Sequence, residues 1–159
     1  MFVAIFTLIT LLVGWIYSLK KERLSTKLFT GAVFFGYLIM WLGFRYLFAS
    51  KTLVSLGFII WVGGLIMLLL HFLLRKDYDT LHKLLILALG ILSFYPMIWR
   101  IVHWPYSGFG LLLGIVPATI AVFLLATKRI KSSEPLTPYI IYTPICFVNF
   151  AWFASFWFT

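Results

Sequence analysis

The sequence predicts an all-α polytopic membrane protein with six transmembrane helices, and three observations carry that prediction. Of 159 residues, 64% are hydrophobic, 20% aromatic and only 11% charged, which leaves too little polar surface to coat a water-soluble fold. The apolar residues fall into runs of about 20, the length a helix needs to cross roughly 30 Å of hydrocarbon. Basic residues then punctuate alternate connections, as they do where short loops are retained in the cytoplasm.

The first span is Met1 to Leu19. Phe-Val-Ala-Ile-Phe follows Met1 without a basic stretch, and no Ala-x-Ala precedes Lys20-Lys21, so a cleaved signal peptide is not expected. The second span, Leu28 to Phe48, follows Lys20, Lys21, Arg23 and Lys27 and ends beyond Arg45. It carries Ala32 and Gly36 four residues apart, a spacing that lets two backbones approach where lipid supplies no hydrophobic drive for association. The third span, Leu53 to Leu74, is followed by Arg75, Lys76 and Lys83, and the fourth, Leu84 to Trp104, contains Pro96. The fifth, Phe109 to Thr127, places Gly110 and Gly114 four apart and contains Pro117; Lys128, Arg129 and Lys131 follow it. The sixth, Pro138 to Phe158, contains Pro144 and the single cysteine, Cys146. Each internal proline removes a backbone donor, and Thr119 and Thr143 are the hydroxyls expected to satisfy the freed carbonyls.

Residues 1–159 are thus expected to form one membrane domain, with odd-to-even connections in the cytoplasm and both termini on the periplasmic side of a bacterial inner membrane. The net charge of +9 follows this topology rather than a nucleic-acid site. Tyr17, Tyr46, Trp104, Tyr106, Tyr139 and Trp157 fit interfacial aromatic belts, while Trp15, Trp41, Trp61 and Trp99 lie deeper. Spans two and three also align with spans four and five, either with Ala32 on Gly90, Tyr37 on Tyr95 and Trp41 on Trp99 or in a second register with Phe44-Arg45 on Trp99-Arg100, which suggests two hairpin repeats of parallel orientation.

The acids Glu22, Asp77, Asp79 and Glu134 all fall in connections, so no span offers a carboxylate for proton or sodium passage. His71 and His103 belong to opposite ends of their spans and cannot share a metal; His82 has no ligand-rich pattern around it. No phosphate loop, Ser-His-Asp set or carboxylate pair can be assembled, so neither catalytic residues, a metal nor a cofactor is expected. Arg45 and Arg100 stand near span ends, where each can snorkel to headgroups or meet a charge supplied by another subunit.

The stretch "WRIVHWPYSGFGLLLG" from Trp99 to Gly114 resembles the transmembrane hairpin of the GldL family, the gliding-motility and type 9 secretion motor subunits of Bacteroidota. Trp99 takes the aromatic place and Arg100 the basic one. His103, Trp104 and Pro105 match directly, Ser107-Gly108 forms the turn, and Gly114 is the closing glycine. The resemblance covers spans four and five only. Those motor subunits carry an intramembrane glutamate just after the glycine, where this chain has Val116, Pro117, Ala118 and Thr119, so it implies a hairpin architecture without motor activity. The resulting expectation is a non-catalytic accessory, scaffold or assembly subunit that packs against other membrane proteins and lipid. A small transporter or channel is the alternative, and a redox-complex subunit a more distant one.

Overall fold

The computed structural model describes residues 2–45, 50–76, 78–101, 113–127 and 136–157, with side chains at 4–43, 50–76, 78–94, 113–127 and 136–151. Among the described residues the fold is all-α, with no strand. Six helices follow one another: α1 (Phe2–Lys21), α2 (Leu24–Arg45), α3 (Lys51–Leu74), α4 (Thr80–Ile101), α5 (Ile115–Ala126) and α6 (Thr137–Trp157). Among the described residues three of them, α1, α2 and α3, are long and apolar enough to cross a membrane, against the six spans expected. At 1.5 Å per residue the 24 residues of α3 reach about 36 Å, more than the hydrocarbon needs.

Several helices start before their apolar runs, while α3 ends at Leu74 as expected. The second begins at Leu24 rather than Leu28, because backbone hydrogen bonding continues through Arg23 and Lys27; Lys27 N–H donates to the Arg23 carbonyl at 3.1 Å. Hydrophobicity marks where lipid starts, whereas a helix continues until its hydrogen bonds stop. The fourth begins at Thr80, four residues before the expected Leu84, for a local reason. Asp79 caps it, its Oδ1 accepting the His82 N–H at 2.8 Å. Pro117 stands in the first turn of α5, where its missing N–H breaks no intrahelical bond.

The chain divides into two compact units, Met1–His71 and Phe72–Thr159. In the first unit α1 and α2 form a hairpin whose connection is only Glu22 and Arg23. The inner stripe of α1 is Thr7, Leu11, Gly14 and Ser18, all buried, while Ile5, Phe6, Ile9, Leu12, Val13, Ile16 and Leu19 are exposed. Hydroxyls and glycine inside with branched hydrocarbon outside is the reverse of a water-soluble helix and suits a lipid solvent.

Between α2 and α3 the contact is backbone against backbone. A Cβ added at Gly36 would lie 2.5 Å from the Trp61 nitrogen, and one at Gly57 would lie 2.8 Å from the Gly36 carbonyl oxygen. Gly43 meets Val54, Gly57 meets Met40, and Gly64 meets Val33, so one antiparallel register holds along the pair. On each helix two of these glycines stand seven apart, Gly36 with Gly43 and Gly57 with Gly64, the heptad interval that keeps a seam facing its partner.

The second unit is built around α6, which packs against both α4 and α5, while α4 also touches α5. Its Tyr139, Ile141, Tyr142, Ile145, Cys146 and Asn149 are buried. Tyr139, expected in an interfacial belt, is instead enclosed, with its ring edge-on to His82 at 6.4 Å. Helix α5 repeats the inversion seen in α1: Gly114, Pro117, Ala118 and Ala121 face inward, and Leu113, Val116, Ile120 and Phe123 face outward.

The glycine seam yields a graded prediction. Gly36→Ala and Gly57→Ala should each lower resistance to unfolding in mixed micelles by about 1–3 kcal/mol, because the new methyl meets backbone that cannot step aside. Gly63→Ala, where a Cβ meets nothing within 4 Å, should be neutral or stabilising by up to about 1 kcal/mol. Equal effects at all three positions would refute the close contact.

Candidate functional site

The chemically able side chains of the described residues gather in two buried polar seams, one in each unit. In the first, Ser18 and Thr30 join α1 to α2 through hydroxyl oxygens 2.7 Å apart, and Ser18 Oγ also reaches the Trp15 carbonyl at 2.7 Å. Thr30 Oγ1 lies 2.9 Å from the Thr26 carbonyl as a donor, and Thr26 Oγ1 stands 3.0 Å from His71 Nε2 on α3. The His71 ring packs edge-on to Phe29 at 5.8 Å. Thr7 of α1 hydrogen-bonds Tyr37 of α2 further along the same hairpin.

These positions follow from helical geometry. Thr26 and Thr30 are one turn apart, so both face the same way, and their hydroxyls can reach back to the helix carbonyls as well as across to a neighbour. Thr26 and His71 occupy the same antiparallel register as the glycines, so the close approach at Gly36 and Gly57 also brings these two within bonding distance.

In the second unit Asn149 of α6 donates through Nδ2 to the Ser93 carbonyl of α4 at 2.9 Å. Ser93 Oγ donates to the Gly90 carbonyl at 2.7 Å, and the Cys146 thiol points at the Leu89 carbonyl at 3.6 Å. Asn149, Cys146 and Ser93 are all fully or nearly fully buried. His82 lies at the start of α4, its Nδ1 3.2 Å from Asp79 Oδ1. Among the described residues no group of three or more His, Cys, Asp or Glu side chains comes together to hold a metal.

Two hydroxyls expected to serve proline do other things. Thr119 Oγ1 donates to the Ile115 carbonyl at 2.8 Å, whereas the carbonyl that Pro117 would have paired is that of Leu113. Thr143 Oγ1 is buried without a hydrogen-bond partner among the described residues, so it does not donate to the Ile140 carbonyl that Pro144 frees. The i−4 acceptor lies a full turn below, while the preceding residue's side chain points elsewhere.

The packing residues are placed as follows. Gly36 is in the α2–α3 contact, Ala32 is half-buried beside it, and Gly114 opens the inward face of α5. Arg45 is the last residue of α2, and Trp99 and Arg100 lie in the final turn of α4; their side chains fall outside the described set. Val102 to Leu112, which include His103, Trp104, Pro105, Gly108 and Gly110, are outside the described residues, as are Tyr46 and Tyr106. Reading the sequence missed Gly43, Gly57 and Gly64 as contact glycines and missed Ser18, Thr26, Thr30, Ser93 and Asn149 altogether. Their signal is a polar or small residue recurring on one face of an apolar run.

No family model, curated protein or solved structure matches the chain.

Replacing Asn149 by Leu should cost roughly 0.6–1.7 kcal/mol in mixed-micelle unfolding, the range of single hydrogen bonds between membrane helices. Thr119→Val, which removes an exposed bond within one helix, should leave the midpoint unchanged. An Asn149→Leu protein as stable as the parent would show that the α4–α6 tie contributes nothing.

Proposed function

We propose that the protein is a non-catalytic subunit of a membrane complex, an accessory or scaffold that holds its partners through its transmembrane surface. The observation that carries this reading is where the reactive side chains go. Ser18, Thr26, Thr30, His71, Ser93, Cys146 and Asn149 are each turned onto a neighbouring helix or onto backbone, which fits ties between helices better than chemistry on a substrate. In lipid such hydrogen bonds and close glycine contacts replace the hydrophobic effect as the means of association.

On this reading all six helices cross the inner membrane, the termini are periplasmic, and the basic residues after α1 and α3 lie in the cytoplasm. The α2–α3 and α4–α5 hairpins form parallel repeats. The likeness of Trp99 to Gly114 to the GldL hairpin supports a shared lineage with those motor subunits, and the apolar Val116-Pro117-Ala118-Thr119 supports loss of the proton-handling step. Arg45 and Arg100, at the ends of α2 and α4, are the residues that would meet acidic groups on a partner.

Gentle solubilisation from cells expressing the protein at its native level tests this directly. The expected result is a defined set of co-purifying membrane proteins, reduced several-fold in an Arg45→Ala/Arg100→Ala variant of unchanged abundance. A lone, monodisperse monomer would overturn the reading.

A further inference from the structure

The outer side of the α1–α2 hairpin combines an apolar seam, whose leucines and Phe35 are exposed while Trp15 packs against Gly31 and Phe34, with a cluster of cations. Trp15 lies along this seam, its ring centroid 5.0 Å from that of Phe35 and its Nε1 3.1 Å from where a Cβ on Gly31 would stand. Leu28, Gly31 and Phe35 follow one another at i, i+3 and i+7, and Trp15 and Leu19 at i and i+4, so each set forms a single stripe. The antiparallel pairing that joins Trp15 to Phe35 and Ser18 to Thr30 puts Leu19 and Leu28 at the same, closed end of the hairpin. Leu24 and Leu28 are 72% and 63% exposed, and Leu19 and Phe35 are exposed as well.

At the closed end of this seam stand Lys20, Lys21, Arg23 and Lys27, four cations within eight residues; the first three are exposed and Lys27 is half-buried. Glu22, the single acid among them, is turned inward and has an interaction of its own. Arg23 and Lys27 are one turn apart and adjoin Leu24 and Leu28, so cations and leucines run side by side along the start of α2.

We infer that this hairpin binds an anionic phospholipid, with its acidic headgroup among Lys20, Lys21, Arg23 and Lys27 and an acyl chain along Leu19, Leu28 and Phe35 past Trp15. Charge complementarity selects the occupant: a neutral lipid would fill the apolar seam equally well but gain nothing from the four cations. Basic residues beside a membrane each contribute about 1 kcal/mol of attraction to an acidic surface, and a seam that also fits the chain turns a diffuse attraction into a site. Retention of cytoplasmic loops explains why cations are found at this end of the helices, but it does not require the leucines between them to be uncovered.

Trp15 provides the readout. The protein would be placed in phosphatidylcholine nanodiscs holding a low, fixed fraction of phosphatidylglycerol, with bromine carried by either the phosphatidylglycerol or an equal amount of the phosphatidylcholine. The Trp15 contribution to quenching is obtained by subtracting a Trp15→Phe variant. Brominated phosphatidylglycerol should quench Trp15 at least about fivefold more per molecule, the factor that one cation near the surface supplies. The quadruple Lys20→Gln/Lys21→Gln/Arg23→Gln/Lys27→Gln variant should bring the ratio close to one. Because removal of these charges can impair insertion, the comparison of the two lipids on the parent protein decides alone. Equal quenching by both lipids would mean the seam is lipid-exposed but not selective, and no quenching by either would mean something else covers it; both outcomes overturn the inference.

Discussion

Two helices in hydrocarbon gain nothing by hiding leucines from their surroundings, and this constraint shapes the first unit from α2 outward. Association must come from dispersion between closely spaced backbones and from polar groups that have no better partner. The glycines meet both needs together. With no side chain at Gly36 or Gly57, the α2 and α3 backbones come into direct contact, and that separation is what allows Thr26 to reach His71 at 3.0 Å. A larger residue at either position would push the helices apart and break the Thr26–His71 hydrogen bond. The hydrogen bond therefore depends on the glycines, and the register depends on both.

The same constraint explains why the polar seams are modest in number but consistently placed. A hydroxyl or amide taken out of water needs a partner, and Thr7, Ser18, Thr26, Thr30, Ser93 and Asn149 are all buried. Each interhelical bond is worth little in net stability, because the separated helices also find partners for these groups. Their larger effect is on specificity: rotating α6 by one residue would take Asn149 away from the Ser93 carbonyl and Cys146 away from the Leu89 carbonyl together.

Much of the fold was legible in the sequence, for reasons that also mark where legibility stops. Runs of apolar residues bounded by lysine and arginine reveal helices, and all six described helices lie within or across those runs. Helix starts were less legible, since Asp79 caps α4 through a local hydrogen bond that hydropathy does not register. The close contacts were found only in part. A four-residue search for small residues picks out Ala32 with Gly36, whereas the seam repeats at seven, and its other half, Gly57 and Gly64, is on a different helix. Tyr139 resembles a belt residue because it stands at the start of a span; only the packing of α4 against α6 encloses it. Nor does one helix's sequence reveal that Ser93 and Asn149, more than fifty positions apart, will meet.

The tight packing also has costs, and they fall on groups that cannot move. Trp61 is fully buried, between Tyr37 at 5.4 Å and Phe58 at 6.2 Å, and its Nε1 has no hydrogen-bond partner among the described residues. The Trp61 backbone itself lies against Gly36, so the residue is held in this position from both sides. Thr143 Oγ1, one residue before Pro144, is likewise buried without a hydrogen-bond partner among the described residues. An unmade hydrogen bond at a buried group costs roughly 1–3 kcal/mol, about what a good interhelical contact returns. The close backbone contact at Gly36 and Gly57 must therefore offset the buried Trp61 N–H as well as hold the register of α2 against α3.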